Sequence, residues 1–287
     1  MLFRGYLYVY RKITNYGKGV YKMLGIDIGN TFTKITMEGG KHIKLPSRLS
    51  LGNPGDVALN KEFINVEYDG TSYTIGPTNG TMKMQTSKYF ENFHDILLLT
   101  SIALSTKENF IESKIVVGTP VENYAGLGRE LKERILNMGL NKITLTKQEN
   151  NEIITTEKTI RISDVQVFPQ GAYIFKNMQL YENKSILVLD WGGGTVDVSL
   201  WTNGKLIKAN SYQKGCYIMF QEIAQKINKE YPKLNLTLTA LDVEGFIMNN
   251  FKKFKNTEID ERATHTRDFS HGLVAPFFYV ILPSFII

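Results

Sequence analysis

Apolar and polar positions alternate along two widely separated stretches, and each predicts the same strand–turn–strand–turn–strand plan. In Leu24–Leu45, LGIDIGNTFTKITMEGGKHIKL, an apolar strand reaches Asp27, the chain turns at Gly29-Asn30, and Thr31–Met37 runs out as a second strand. Gly39-Gly40 then supplies a hairpin turn into a third. In Leu187–Lys208 the strand reaches Asp190, turns at Gly192–Gly194, runs out through Leu200, and turns again at Asn203-Gly204. Asp27 corresponds to Asp190, Gly29 to Gly192, and Gly39-Gly40 to Asn203-Gly204 with one residue of slip, so the chain carries an internal repeat.

Between the copies, Pro46–Tyr89 reads as a small β-rich insertion, with FINVEY and TSYTI flanking a type I′ signal at Asp69-Gly70. Glu91–Thr106 is apolar on most sides and predicts a buried helix. KIVVGTP (114–120) predicts a core strand. Leu127–Leu140 predicts an amphipathic helix with Leu127, Leu131, Ile135 and Met138 inward and Glu130 and Arg134 as a surface pair. Strands follow through KITLT and EIITTEKTIRIS, and Pro169 breaks the next strand, VQVFP. After the second copy, Tyr217–Tyr231 and Leu238–Asn250 predict helices, the latter capped by Thr237 or Thr239. Alternating strands and helices of this kind make an α/β protein.

The turns suggest phosphate chemistry. Three consecutive glycines are expected to take φ > 0 and to bring backbone N–H groups close to an anion that a Cβ would obstruct. Val196, Val198 and Leu200 alternate with Asp197 and Ser199, so a strand follows the glycines. That excludes the dinucleotide fingerprint and the P-loop, both of which need a helix there. Two such turns, each following a carboxylate, could clasp a polyphosphate from opposite sides. Asp27 and Asp190 would then hold a hydrated Mg2+, an ion that keeps its waters and takes few direct carboxylates. Lys34 adds a cation to the first hairpin, and Thr31 and Thr195 add hydroxyls. Read locally, Gln170 is either a solvated loop residue or one placed to orient a water for in-line attack.

Composition narrows the reading only slightly. The chain has 287 residues, 43% of them hydrophobic and 22% charged, as in a globular protein. Its net charge of +6 is spread along the chain and reads as a lysine-rich solvated surface, with no direct nucleic-acid footprint. The single cysteine, Cys216, reads as a small core residue in a reducing, cytoplasmic setting, and His42, His94, His265 and His271 are too scattered for zinc. Residues 1–22 lack a signal-peptide pattern and read as an extension before a start at Met23. The apolar tail 272–287 is shorter than the roughly 20 residues that span a bilayer, and it contains Pro276 and Pro283. No membrane association is expected.

GIDIGNTFTK resembles the first phosphate motif of the actin, Hsp70 and sugar-kinase superfamily, LVLDWGGGTVDVSLW the second, and VFPQGAY its first connecting motif. Within it the chain is most similar to the bacterial actin-like plasmid-segregation ATPases, the ParM/StbA family, and KIVVGTPVENY resembles a further segment of these proteins. The resemblance implies an actin-like, ribonuclease H-like two-domain ATPase fold. Domain I would occupy 23–185, with the insertion at 46–90, and a partial domain II would occupy 186–271. It implies ATP bound with Mg2+ through water, polymerisation into filaments, hydrolysis within them, and a DNA-binding adaptor that couples filament to plasmid. Asp27 and Asp190 would coordinate the hydrated metal. Gly29, Asn30, Thr31 and Lys34 would hold phosphates from one side, and Gly192, Gly193, Gly194 and Thr195 from the other. Gln170 would position the attacking water, and Asp197 would shape the hairpin or the metal's outer shell. The family's later Gly-Gly adenosine motif has no counterpart after Asn210, so the base-binding part is expected to be missing. Three alternatives stand beside this reading, one of them an Hsp70-like chaperone ATPase, against which no peptide-binding domain is read in the sequence. DIGNT also resembles the first motif of type III pantothenate kinases, which implies a small-metabolite kinase, and a chain without the adenosine segment could be a non-catalytic remnant.

Overall fold

The computed structural model describes residues 22–52, 63–76, 80–150, 152–172, 183–230, 237–248, 253–254 and 257–258. The expected extension up to residue 21 and the apolar tail lie outside them. The chain divides into two compact units, one running up to Gly215 and the other starting at Cys216.

The first unit opens as its alternation dictates: β1 (Lys22–Ile28), β2 (Phe32–Met37) and β3 (His42–Pro46) form an antiparallel meander. The insertion supplies β4 (Leu49–Leu51), β5 (Ile64–Tyr68) and β6 (Thr71–Ile75). Asp69 and Gly70 both have positive φ, as the type I′ turn between β5 and β6 requires. Helix α1 (Asn92–Leu104) follows, then β7 (Phe110–Thr119), helix α2 (Tyr124–Asn137), β8 (Leu140–Glu149) and β9 (Glu152–Pro169). EIITTEKTIRIS and VQVFP form this one continuous strand, and Pro169 ends it.

These strands make one mixed sheet in the order β3-β2-β1-β7-β9-β8-β5-β6-β4. Its centre is parallel, β1 beside β7 beside β9, and the insertion extends it by pairing β5 antiparallel to β8. Parallel strands are apolar on both faces because helices cover them. Accordingly Leu24, Ile26, Ile115, Val117, Val165 and Ile160 are buried together with Ile96, Leu97, Leu98, Leu99 and Ile102 of α1. Helix α2 buries Leu131 and Ile135 in the same core. Arg134 is a correction to its expected surface pairing with Glu130: its guanidinium forms a bidentate pair with Asp95 on α1. Burial would raise the Asp95 carboxyl, but the neighbouring His94 and Arg134 outweigh it and hold its pKa below the usual range. Buried Lys158, on β9, donates to the carbonyls of Thr106, Lys107 and Glu108 and so ties down the chain leaving α1.

The second copy of the repeat forms β10 (Ser185–Trp191), β11 (Val196–Thr202) and β12 (Lys205–Tyr212), a separate antiparallel sheet whose last turn has positive φ at Asn203 and Gly204. Trp201 packs with Val116, Val121 and Ala172, and this small apolar cluster joins the three-stranded sheet to the ends of β7 and β9. It fixes the position of the second hairpin relative to the first.

The second unit contains helices α3 (Cys216–Glu230) and α4 (Ala240–Met248). Thr239 caps α4: its hydroxyl accepts from the Asp242 N–H, and the Asp242 carboxylate accepts from the Thr239 N–H, a reciprocal capping box. The Asn228 side chain bonds both backbone groups of Leu238. Cys216 is half-buried, and burial pushes its thiol pKa up, away from nucleophilic behaviour.

Candidate functional site

The repeat extends to individual backbone bonds. The Gly29 N–H donates to the Phe32 carbonyl at 3.1 Å, and the Gly192 N–H donates to the Thr195 carbonyl at 2.8 Å, closing both turns at equivalent positions. A Cβ on Gly29 would stand 2.8 Å from the Phe32 oxygen, and one on Gly192 would stand 3.3 Å from the Thr195 oxygen. The next equivalence holds as well, since the Thr31 carbonyl accepts from Ser47 N–H and the Gly194 carbonyl from Gly215 N–H.

The glycines are required for a different reason from the one their sequence suggests. None of Gly192, Gly193 and Gly194 adopts the left-handed conformation. Contact forbids a side chain instead. A Cβ on Gly193 would overlap the Thr31 side chain, and one on Gly194 would overlap the Asn30 amide and crowd Met84 Sδ at 2.7 Å. The two turns therefore pack directly against each other, which sequence spacing alone does not reveal.

Asp27 lies at the end of β1 opposite Lys34 on β2, with Lys34 Nζ 3.7 Å from its Oδ2. Gln170, immediately after β9, donates from Nε2 to Asp27 Oδ1 at 3.3 Å, while its backbone N–H bonds the Thr119 carbonyl at 2.7 Å. Gln170 is thus a half-buried partner of the acid and not a solvated loop residue. Gly118 on β7 lies beside the pair, where a Cβ would make only ordinary contact with Gln170 Cγ at 3.5 Å and Asp27 Oδ1 at 3.9 Å.

Asp190 occupies the equivalent position in the second hairpin, but its cross-strand partner is Asp197, where the first hairpin has Lys34. Burial and the facing Asp27 carboxylate push the Asp190 pKa up to about 6, with Lys34 opposing. Asp197 is buried and accepts hydrogen bonds from the hydroxyls of Ser211 and Thr195. These bonds tie it to the turn and to β12, and its burial raises its own pKa against them.

Lys88 is the site residue that sequence reasoning missed. It sits in the 3-10 turn Thr86–Phe90 before α1, is 3% exposed, and donates to the Ile28 carbonyl at 2.9 Å and to Asn30 Oδ1 at 2.7 Å. Burial lowers its pKa to about 8, against the pull of the Asp27 and Asp197 carboxylates. No motif or periodicity marks a lone lysine 58 residues from its partner.

Two carboxylates approaching each other, with amide-bearing turns on either side, suit a hydrated Mg2+ carrying phosphates better than an all-protein metal cage. Among the described residues no group of three or more His, Cys, Asp and Glu is placed to hold a metal ion. Nor, among them, is any helix long and apolar enough to cross a membrane.

Comparisons place this arrangement. In sequence, 105 residues are 29% identical to the cell shape-determining protein Mbl of Bacillus subtilis (strain 168), covering 37% of this chain and 31% of that protein. In structure, the chain is similar to Ta0583, an archaeal actin homolog, with a TM-score of 0.63 at 18% identity over 83% of this chain and 74% of the other. It is also similar to ParM in a 15-stranded filament from Clostridium botulinum, with a TM-score of 0.59 at 16% identity over 85% and 78% of the two chains. Ta0583 has additionally been solved in complex with ADP. These likenesses establish the actin-like fold. Residues 25–172, just over half of the chain, match the N terminal domain of actin like proteins, and the chain belongs to that family.

Proposed function

We propose that this chain binds ATP with Mg2+ between its two hairpin turns, hydrolyses it, and polymerises into filaments that segregate plasmid DNA through a DNA-binding adaptor in the cytoplasm. The observation that carries the nucleotide reading is the duplicated turn, in which Asp27 and Asp190 face each other closely enough for one to raise the pKa of the other. An excess of negative charge held in a half-buried place is relieved by a divalent cation. The ADP complex of Ta0583 and the ParM filament support the nucleotide and the assembly respectively.

Asp27 and Asp190 hold the hydrated metal, which when bound neutralises charge on the phosphates. Gly29 and Gly192 serve by closing the turns with their own N–H groups, so that the amides at Asn30 and Thr31, with Lys34, approach the phosphates from one side and those of Gly193, Gly194 and Thr195 from the other. Gln170 uses its NH2 on Asp27, which leaves its carbonyl oxygen to accept a proton of the attacking water and fix its line of approach. Asp27 therefore serves both the metal and the residue that orients the water.

Sedimentation and phosphate release test the proposal together. With Mg-ATP the chain is expected to pellet as filaments and to release phosphate, and Asp190→Ala is expected to do neither. Persistent monomers that phosphorylate a small metabolite would overturn it in favour of a kinase.

A further inference from the structure

Lys88 reaches the first turn from outside the repeat, and its chemistry determines how Asn30 is oriented. An ammonium donates only, so the atom of the Asn30 amide that faces it at 2.7 Å must be the oxygen. The NH2 end then points the other way, and it is this Nδ2 that a Cβ on Gly194 would overlap. The donor edge of Asn30 is thereby held in the seam where the two turns meet. A second bond, from Nζ to the Ile28 carbonyl at 2.9 Å, anchors the ammonium to the end of β1, one residue from Asp27. Nζ also lies 5.2 Å from the Tyr89 ring centroid, and both residues are almost completely buried, so the head group has little freedom to leave.

We propose that Lys88 is a positioning residue for the phosphate site: it locks the Asn30 amide with its NH2 toward the second glycine turn, where it donates to a phosphoryl oxygen. This rests on the nucleotide-binding reading above. Without the ammonium, the Asn30 amide is free to turn its oxygen into the seam, where it would repel a phosphate. Lys88 belongs to the insertion, so the insertion becomes a determinant of phosphate binding through a single side chain.

The test combines a mutant cycle with a measurement on the nucleotide-free protein. Lys88→Met should weaken Mg-ATP binding roughly 10- to 100-fold, the range for losing a hydrogen bond to a charged group. Lys88→Arg, which also only donates, should restore part of it. In an Asn30→Ala background, Lys88→Met should change affinity by less than about twofold, because its effect runs through Asn30. Equal and additive losses would overturn the assignment. Nuclear magnetic resonance of the Asn30 side-chain NH2 gives a readout that needs no nucleotide and no folded Lys88→Met protein. In the wild-type chain its two protons should be resolved and slow to exchange, and exchange as fast as in a free asparagine would overturn the lock. If wild type binds Mg-ATP and Lys88→Met binds it equally, the inference falls and the nucleotide reading stands. If wild type binds no nucleotide, the nucleotide reading falls, taking the phosphate step with it, and the Asn30 signal alone decides whether the lock exists.

Discussion

Replacing Asp190 by Asn probes the crowded half of the site directly. In the folded chain Asp190 has a pKa of about 6, against an ordinary value of 3.8. Between those two values the folded protein holds a proton that the unfolded chain has released, so stability falls as pH rises through that window. Below about pH 4 the carboxyl is neutral in both states and the loss is small; above about pH 6 the loss is complete. A rise of that size corresponds to about 3 kcal/mol, and residual solvent access to Asp190 reduces this to about 1–3 kcal/mol. An amide in place of the carboxylate keeps the shape and removes the charge, so at pH 7.5 the Asp190→Asn chain should melt about 2–10 °C higher than wild type. At pH 4 the two should differ little. The assay is a pair of thermal melts at each pH, followed by circular dichroism, in which unrelated carboxylates cancel between the two proteins. Adding Mg-ATP should reverse the order at pH 7.5 by stabilising wild type alone. An unchanged or lower melting temperature for Asp190→Asn at pH 7.5 would refute the crowding of the two carboxylates.

Gly193→Ala should destabilise the first unit by about 1–3 kcal/mol, because the new Cβ overlaps Thr31, and Thr31→Gly in the same chain should recover most of that in chemical denaturation. Gln170→Ala should slow single-turnover hydrolysis by about 100-fold while leaving Mg-ATP affinity and filament assembly in place, since it touches the site only through Asp27 and the water. Arg134→Met should cost roughly 3 kcal/mol by stranding the buried Asp95 carboxylate. Because the Asp95 pKa is depressed in the folded state, its stabilising share is present above the ordinary carboxylate range and lost on acidification. The Arg134→Met deficit should therefore shrink as pH falls, as urea titrations at pH 7 and pH 4 would measure.

Local patterns recovered most of the strands, the type I′ turn at Asp69-Gly70, the turn at Asn203-Gly204 and the cap at Thr239, because these are set by residues close in sequence. The duplicated hairpin was equally legible, since the same residue types recur at the same offsets from Asp27 and Asp190. What escaped was decided across the fold. Arg134 looked like a surface residue until α1 brought Asp95 beside it, and the glycines at 193 and 194 answer to Thr31 and Asn30, more than 160 residues away. Lys88 was invisible for the same reason: a buried ammonium is identified by the oxygens around it, and both come from the far side of the insertion. The connection after β9 read correctly as the end of a strand, but whether Gln170 faced solvent or Asp27 was decided by partners on other strands, Asp27 on β1 and the Thr119 carbonyl on β7.

If the two hairpin turns act as one Mg2+-dependent nucleotide clamp, ATP binding must depend on the metal and on both carboxylates. Titration calorimetry with ATP, in Mg2+ and again in EDTA, tests it most directly. Binding is expected only with Mg2+, and it should be lost in both Asp27→Asn and Asp190→Asn. Binding of equal strength in EDTA, or no binding to the wild-type chain in Mg2+, would contradict it.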